Sequence, residues 1–404
     1  MPEILAPAGN IKNLKVAIDF GADAVYIGGS KLNLRAFADN FSDEDLKEAV
    51  DYAHERNRKV YVTLNVFPHE DDLNGLEDYL LNLEKINVDA IIVSDPGIIM
   101  TARDLVPNLN LHLSTQANNV NHKSAIFWYK NGIKRIVLAR EMSFQEIKKL
   151  RENTPMDLEL EVFVHGSMCM SYSGRCLLSN YMTGRDSNRG ECTQPCRYKY
   201  TLVEEKRPGE YFDIIEDDRG SYILSSKDLC MIEHIPELME LSVSSFKIEG
   251  RMKSSFYVST VVKAYREALD SYLENLKEYK FNKKWMDYLN MNSHREFFTG
   301  FYFGEDKKQT YYQESYIRNY EIVGIVKSYD PVNKIAKIEQ RNKLFEGDKV
   351  GVLRPIGDVQ YTTLKDLYND LNEKINSTPN AQMEYYARTE IEVLPKDILF
   401  KQKA

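Results

Sequence analysis

All five cysteines of this 404-residue chain lie between positions 169 and 230: Cys169, Cys176, Cys192, Cys196 and Cys230. This spacing lacks the two close pairs that are typical of a structural zinc site. An iron–sulfur cluster needs four thiolates and tolerates scattered spacing. The cysteines therefore indicate a metal centre and favour an iron–sulfur cluster over zinc, with buried free thiols as the alternative that needs no metal.

The cellular compartment supports this interpretation. The N-terminal segment MPEILAPAGN has neither the basic start nor the apolar run of a secretory signal, and no apolar stretch approaches the ~18 residues of a membrane span. We therefore expect a cytoplasmic protein without membrane association, in which thiols stay reduced. The net charge of -8 is not typical of a nucleic-acid-binding protein, although a local basic face would be enough for binding.

Basic residues surround the cysteines within this acidic chain. Between positions 165 and 200 only Asp186 and Glu191 are acidic, against the cations Arg175, Arg185, Arg189, Arg197 and Lys199. Positive charge favours thiolates and offsets the charge of a cluster. The same cations could bind an anionic substrate or phosphates, or pair with the acidic stretch IIEDD, and the sequence leaves these roles open.

The elements that must position these residues follow a regular order. Eight short apolar segments alternate with helical patterns: EILAPA, AVYIGG, KVYVTLN, AIIVSD, LHLST, RIVLAR, LELEVFVHG and SSFKIEG. Repeated β-then-α units favour a parallel sheet, and eight of them predict a closed, TIM-like β/α barrel over residues 1–275. Asn10 and Ser42 are candidate caps of the first helices.

The pattern is interrupted once, before the last strand, by a cysteine-rich insert at about residues 165–240. In such barrels the loops after the strands build the active site, so we expect the insert on that face. Residues 276–320 show little periodicity and indicate a connecting segment. Alternating segments over 321–404 predict a small all-β barrel domain, which either stabilises the first domain or docks substrate.

Polar residues follow several of the predicted strands, where barrel enzymes place reacting groups. They are Asn65, Ser94, Asp95, Ser114, Gln116, Arg140, Glu141, His165, Lys247, Glu249 and Arg251. We take His165, Lys247 and Glu249 as catalytic candidates, and His165 first because the imidazole pKa lies near neutrality. Structural roles such as helix capping by Ser94 and Ser114 are the alternative.

Arginines and one glutamine are the candidates for substrate binding. Arg35, in LNLRAFADNFS after the second strand, could bind a carboxylate bidentately and joins the catalytic candidates. The predicted substrate-binding residues are Arg175, Arg185, Arg189, Gln116 and Arg251.

Longer motifs resemble a known family over essentially the whole chain. They are SYSGRCLLSNYMTGRDSNRGECTQPCRYKY, SSKDLC, KIEGRMKSSFYV, ILAPAGN, GADAVYIGG and LSTQANNVN, and they are similar to peptidase family U32, the collagenase-like peptidases. The resemblance implies an oxygen-independent hydroxylase, since branches of the family modify ubiquinone precursors, a ribosomal RNA cytidine or the wobble uridine of tRNA. One barrel with a short β domain is most similar to the tRNA branch, which makes 5-hydroxyuridine and depends on prephenate.

The resemblance also implies a cofactor and its ligands. Relatives carry a 4Fe-4S cluster on cysteines whose spacing resembles Cys169, Cys176, Cys192 and Cys230, which leaves Cys196 as the spare. Because Cys192 and Cys196 share the motif ECTQPCR, the choice between them stays open. The expected partners are tRNA and a small dicarboxylate such as prephenate, and the oligomeric state is left open.

Peptidase activity, which the family name suggests, has no motif in the sequence. HERNR at His54 and HEDDL at His69 lack the second histidine of a zinc protease, and GGSKL near Ser30 is not a Gly-x-Ser-x-Gly elbow. A cysteine nucleophile remains arguable because His165 is close to Cys169 in the chain. A U32 peptidase, a hydrolase or binding protein with structural zinc, and a ribosomal RNA hydroxylase are therefore the alternatives.

Overall fold

The computed structural model describes residues 1–32, 40–169, 171–172, 175–197, 201–203, 211–213, 227–304, 317 and 319–403, with the backbone alone at 189, 197, 201–203 and 211–213. Its strands are β1 (Glu3–Pro7), β2 (Ala24–Ile27), β3 (Lys59–Leu64), β4 (Ala90–Val93), β5 (Asn110–Leu113), β6 (Ile133–Val137), β7 (Glu159–Ser167), β8 (Thr201–Val203), β9 (Tyr211–Asp213), β10 (Asp228–Cys230), β11 (Ser245–Ile248), β12 (Phe297–Phe298), β13 (Tyr320–Asp330), β14 (Ile335–Gln340), β15 (Lys349–Leu353), β16 (Gln360–Thr363), β17 (Lys365–Asn369), β18 (Glu384–Arg388) and β19 (Ile398–Gln402).

The helices are α1 (Ile11–Asp19), α2 (Asp43–His54), α3 (Leu76–Lys85), α4 (Pro96–Leu105), α5 (His122–Lys130), α6 (Phe144–Glu152), α7 (Leu178–Thr183), α8 (Ile235–Glu240), α9 (Ser255–Glu274) and α10 (Lys283–Asn290). Asn10 and Ser42 cap α1 and α2 as predicted, because their side-chain oxygens accept the main-chain N–H groups of Asn13 and Asp45. Within the described ranges no helix has the length and apolar character needed to cross a membrane.

Eight parallel strands form a closed barrel, which confirms the predicted fold class. β1 to β7 pair in chain order, and β11 pairs in parallel with both β7 and β1. Most residues of these strands are buried, since helices cover the outside of the barrel and side chains fill its inside. This burial on both faces explains why the strands show as continuous apolar segments rather than as alternating ones.

The insert leaves the barrel at the end of β7 and returns at β11. The last residues of β7 extend beyond the barrel and pair antiparallel with β10, which places Cys230 opposite His165. β10 also pairs in parallel with β12. The segment 276–320, read from the sequence as a connection, therefore contributes α10 and β12 to the structure around the barrel.

The C-terminal residues form the small all-β domain that the sequence predicted. Seven antiparallel strands run in the order β16-β15-β19-β13-β14-β18-β17 around a separate apolar core. Leu353, Ile398 and Phe400 join the core of the barrel domain instead, and the Phe400 ring lies 5.8 Å from that of Phe256 on α9. The two domains therefore share an apolar contact at α9.

A buried lysine adds a polar contact to this junction. Lys263 on α9 is 1% exposed and donates hydrogen bonds to the main-chain oxygens of Pro355 and Gly357, at 3.1 and 2.9 Å. It also pairs with Glu267 one turn further along the helix, at 2.8 Å. Lys263 therefore links the barrel domain to the main chain of the C-terminal domain.

We expect Lys263→Met to lower the free energy of unfolding by about 2 kcal/mol, because two acceptors and Glu267 lose a buried donor. Urea denaturation monitored by tryptophan fluorescence measures the change. The matched control is Lys365→Met, which removes an exposed ion pair with Glu390 on the C-terminal domain and should change stability far less. Equal effects of the two variants would contradict a docking role for Lys263.

Candidate active site at the carboxyl end of the barrel

A cavity of about 570 Å³ opens where the barrel strands end. The barrel contributes residues from the ends of its strands, including Thr63, Asn65, Ser114 and Gln116, and the insert contributes the opposite part of the wall. The insert therefore lies on the face that the sequence predicted for it. The volume falls within the range of small-molecule and cofactor sites.

The lining is strongly basic. Among the described residues that line the cavity, the charged ones are five cations and one carboxylate: Arg140, Arg185, Lys247, Arg251, Lys253 and Glu249. Low-dielectric walls of one sign concentrate oppositely charged ligands. The cavity is therefore suited to an anion, and it contains the predicted residues Lys247, Glu249, Arg185, Arg251 and Gln116.

Arg251 is held in place across the barrel. Its Nη1 donates to the Thr63 hydroxyl at 2.8 Å, and its guanidinium lies against Gly28. A Cβ at position 28 would meet Arg251 Nη1 at 2.5 Å, so only glycine permits this approach. Arg140 lies across the cavity with Nη2 at 3.6 Å from Glu249 Oε2, and its guanidinium covers the Phe163 ring at 4.0 Å.

Lys247 is supported from inside the barrel. Its Nζ donates to Glu161 Oε1 at 2.7 Å and lies 4.5 Å from the centre of the Tyr26 ring. Glu161 is fully buried and also accepts from Arg135, whose guanidinium binds Glu3 and Glu159 as well. Lys247, Glu161, Arg135 and Glu3 thus form a row of alternating charges that runs from the cavity to the opposite end of the barrel.

The neighbouring charges of this row determine the protonation state of Glu161. Burial by itself raises the pKa of Glu161, but Lys247 and Arg135 outweigh that effect and hold the pKa below its ordinary value. Burial, with the positive charges of Arg135 and Lys247 nearby, lowers the pKa of His112 well below its ordinary value. Glu161 is therefore a carboxylate and His112 a neutral imidazole at physiological pH.

Four cysteines line the same cavity: Cys169, Cys176, Cys192 and Cys196. Four thiols in the lining of one cavity suit the chemistry of an iron–sulfur cluster, which is bound by soft sulfur ligands. In the described part of the chain, no three His, Cys, Asp or Glu side chains are already arranged as a metal-binding group. Three of the ligands that the resemblance implies line this cavity, and so does Cys196, which the resemblance leaves as the spare.

Cys230 and His165 lie apart from this cavity. Cys230 is buried on β10, next to Tyr265 of α9, and burial raises the pKa of its thiol to about 12. His165 is buried among the rings of Tyr257, Tyr265 and Phe297, and burial lowers its pKa to about 3. The structure does not bring His165 to the cavity, and a neutral imidazole there is a weak base near pH 7.

The remaining predicted residues have varied positions. Arg175 donates from Nε and Nη2 to the main-chain oxygen of Gln116, at 3.0 and 2.7 Å, and so ties the insert to the barrel. Ser114 caps the short turn that carries Gln116, which is its structural role. Arg35 and the side chain of Arg189 fall outside the part of the chain that the structure describes.

Sequence reasoning missed Glu161, Arg135 and His112, which lie inside the barrel. Their segments, LELEVFVHG, RIVLAR and LHLST, have the overall pattern of apolar strands. Glu159 and Glu161 are two residues apart on one strand, and so they share a face. That alternation was the available signal, because a charge inside an apolar strand needs a buried partner.

We expect Glu161→Gln to lower the free energy of unfolding at pH 7 by about 3 kcal/mol, because it leaves the buried Lys247 without its counter-charge and removes one of the three carboxylates that bind Arg135. Since the folded-state pKa of Glu161 is depressed, its stabilisation is complete above the ordinary glutamate pKa and is lost as the pH falls through the lower folded value. The difference from wild type should therefore narrow below about pH 4.

Denaturation at several pH values measures this difference. The matched control is Glu390→Gln at an exposed pair with Lys365, which should leave stability almost unchanged. A wild-type level of stability in Glu161→Gln at pH 7 would show that the buried row of charges is not needed for the fold.

Known proteins are similar to this chain in sequence. The tRNA hydroxylation protein P1 of Bacillus subtilis is 40% identical over 100% of this chain and 95% of its own length. The tRNA hydroxylation protein P of Escherichia coli is 34% identical over 94% of this chain and 91% of its own. An uncharacterized protease of Methanocaldococcus jannaschii is 44% identical over 87% of each chain.

Family models match both domains. The model for peptidase family U32 matches residues 9–311, and the model for the C-terminal domain of peptidase family U32 matches residues 318–399. The matches cover the barrel, the cysteine-rich insert and the small β domain. The chain therefore belongs to peptidase family U32.

Proposed function

We propose that this protein is an iron–sulfur-dependent tRNA hydroxylase that forms 5-hydroxyuridine at the wobble uridine, with prephenate as its small co-substrate. The relatives named tRNA hydroxylation proteins support tRNA as the substrate. The single observation that carries the proposal is the cavity, because its lining combines four cysteine thiols with five cations that can bind an anionic ligand.

The outer face of the insert supports a large nucleic-acid substrate. Leu177 and Tyr181 lie one helical turn apart at α7 and are 72% and 89% exposed. Arg185 lies two residues beyond the end of α7 and lines the cavity. Exposed aromatic side chains stack on unpaired bases and arginine contacts phosphates, which suits the loop of an RNA hairpin whose target base enters the cavity.

The cationic side of the cavity supports the proposed dicarboxylate. Hydroxylation replaces the C5–H of uracil by C5–OH, a two-electron oxidation, and so it needs an oxygen source and a two-electron acceptor in addition to the RNA. Lys247, Arg251 and Arg140 present N–H donors from three positions on the wall. Guanidinium groups bind carboxylates bidentately, and the Glu161 and Thr63 contacts fix Lys247 and Arg251 before a ligand arrives.

Cys169, Cys176 and Cys192 would hold the cluster, together with a fourth cysteine. When bound, the cluster supplies one-electron redox chemistry or a coordination position for a ligand next to the cavity. The chain's own residues bind and orient the reactants: the cations hold the anion, and the barrel walls exclude water from the base.

We expect protein purified without oxygen to be brown and to contain about four irons and four sulfides per chain. Cys176→Ala should lose much of the iron because it removes one of the proposed thiolate ligands. Iron, sulfide and zinc are quantified together in the same samples. Colourless protein with stoichiometric zinc would contradict the cluster and favour a structural zinc site.

The fourth ligand is assigned with a pair of matched variants. The family resemblance implies that Cys230→Ala loses iron and that Cys196→Ala retains it. The opposite result would assign the position to Cys196, the thiol that lines the cavity. Circular dichroism of both variants shows whether a loss of iron reflects a loss of fold.

We expect deletion of the gene to remove 5-hydroxyuridine and its derivatives from cellular tRNA. The wild-type gene should restore them, whereas the Cys176→Ala gene should not. Mass spectrometry of nucleosides from purified tRNA measures the outcome. Unchanged 5-hydroxyuridine in a strain without a paralogue would contradict the proposal, and nucleosides from ribosomal RNA would then be compared in the same strains.

Peptidase activity is the second candidate. It is favoured by the similarity to the protease-named Methanocaldococcus jannaschii protein. His165, which precedes Cys169 by four residues in the sequence, lies among aromatic rings and outside the cavity that Cys169 lines. This arrangement does not supply the base that a cysteine nucleophile needs, so hydroxylation is the better supported function.

A further inference from the structure

We infer that the side of the cavity formed by Asn65 and Gln116 receives hydrogen-bond donors from the target nucleotide, and that it thereby recognises the N3–H group of uracil. The inference rests on the proposed function, because it assigns the base-binding side of the same cavity. It starts from two buried amide oxygens that lack hydrogen-bond partners in the described part of the chain.

Asn65 is oriented by its neighbours. Its Nδ2 donates to the Ser114 hydroxyl at 3.3 Å, and its main-chain oxygen accepts from the Ser94 hydroxyl at 3.4 Å. The Oδ1 atom is buried and has no partner among the residues that the structure describes. Because the amide nitrogen is bound to Ser114, the oxygen is the atom left to accept a donor from a ligand.

Gln116 repeats this arrangement two residues beyond Ser114. It is 4% exposed, its main-chain N–H donates to Ser114 Oγ at 3.4 Å, and its main-chain oxygen accepts from Arg175. Its side-chain Oε1 is likewise buried without a partner in the described ranges. Buried acceptors of this kind are unfavourable unless a ligand satisfies them, and both residues line the cavity.

The two sides of the cavity therefore bind different chemical groups. Asn65 and Gln116 follow β3 and β5, while Lys247 lies on β11, which is the eighth strand and is across the barrel from β4. The cations of that side offer donors to an anion. A carboxylate offers only acceptors, so it cannot satisfy the two amide oxygens.

A uridine fits the amide side. Uracil has a single ring donor, N3–H, and the ribose 2′-hydroxyl supplies a second, so one nucleotide can serve both oxygens. Cytosine presents an unprotonated N3 at the same position. The cytosine N3 and the amide oxygen would then be two facing acceptors, and neither would have a hydrogen-bond donor. A site built to bind a donor rejects the analogue that lacks it.

The experiment measures binding of a synthetic anticodon stem-loop RNA to the anaerobically purified full chain. Two hairpins differ only at the wobble position, which carries uridine or N3-methyluridine. We expect wild-type protein to bind the uridine hairpin roughly tenfold more tightly, as for loss of one well-placed base contact. Fluorescence anisotropy at fixed salt concentration gives both dissociation constants.

Variants separate hydrogen bonding from shape. Gln116→Met and Asn65→Leu keep the side-chain volume and remove the acceptor, so the preference for uridine should fall to about twofold or less. Gln116→Glu keeps an acceptor and should retain part of the preference. Gln145→Met makes the same chemical change at an exposed position of α6, and this variant should bind both hairpins as wild type does.

The outcomes are distinguishable. If the wild-type preference persists in both Gln116→Met and Asn65→Leu, the methyl group is excluded by shape and the inference is wrong. If wild type binds both hairpins equally well, RNA binding stands and the inference is again wrong. If wild type binds neither hairpin, the proposed function fails, and the assignment of the amide side fails with it.

Discussion

The buried ion pair between Glu161 and Lys247 is the interaction on which the site depends. Glu161 lies on β7 and Lys247 on β11, so the 2.7 Å contact joins the two strands between which the insert leaves and re-enters the barrel. Arg135 and Glu3 extend the contact to β6 and β1. Charges buried this deeply are stable only when they are paired. The same interaction therefore joins β7 to β11 and fixes the position of Lys247 in the cavity.

The extension of β7 explains how the insert reaches the cavity. Beyond the barrel, β7 pairs with β10, and this pairing returns the chain towards β11. The cysteines that line the cavity follow the end of β7, while Cys230 lies on β10 behind it. Arg175 then ties the insert to Gln116. A cysteine-rich segment is thus held against barrel loops that already carry polar residues.

The cavity that results has two chemically different sides. Arg140 after β6 and Lys247 on β11 contribute cations, Asn65 and Gln116 after β3 and β5 contribute amide oxygens, and the guanidinium of Arg251 reaches Thr63 on β3. An anionic reactant and a nucleobase can therefore occupy neighbouring positions without competing for the same partners. This division suits a reaction between a large RNA and a small acid better than it suits peptide hydrolysis, which needs an activated nucleophile beside a base.

The sequence by itself determined the eight β/α units, the place of the insert, the clustering of cysteines and the local excess of basic residues. These features depend on periodicity and composition, which are local properties of the chain. Helix caps such as Asn10 and Ser42 were equally predictable from the sequence, because their hydrogen bonds span only a few residues.

Only the tertiary structure decided which of these groups meet. Glu161 and Lys247 are 86 residues apart in the chain, and nothing in their local sequence names the partner. Cys196 lines the cavity while Cys230 and His165 lie outside it, since strand register decides which way each side chain points. The acceptor side formed by Asn65 and Gln116 likewise exists only because barrel closure brings the ends of separate strands together.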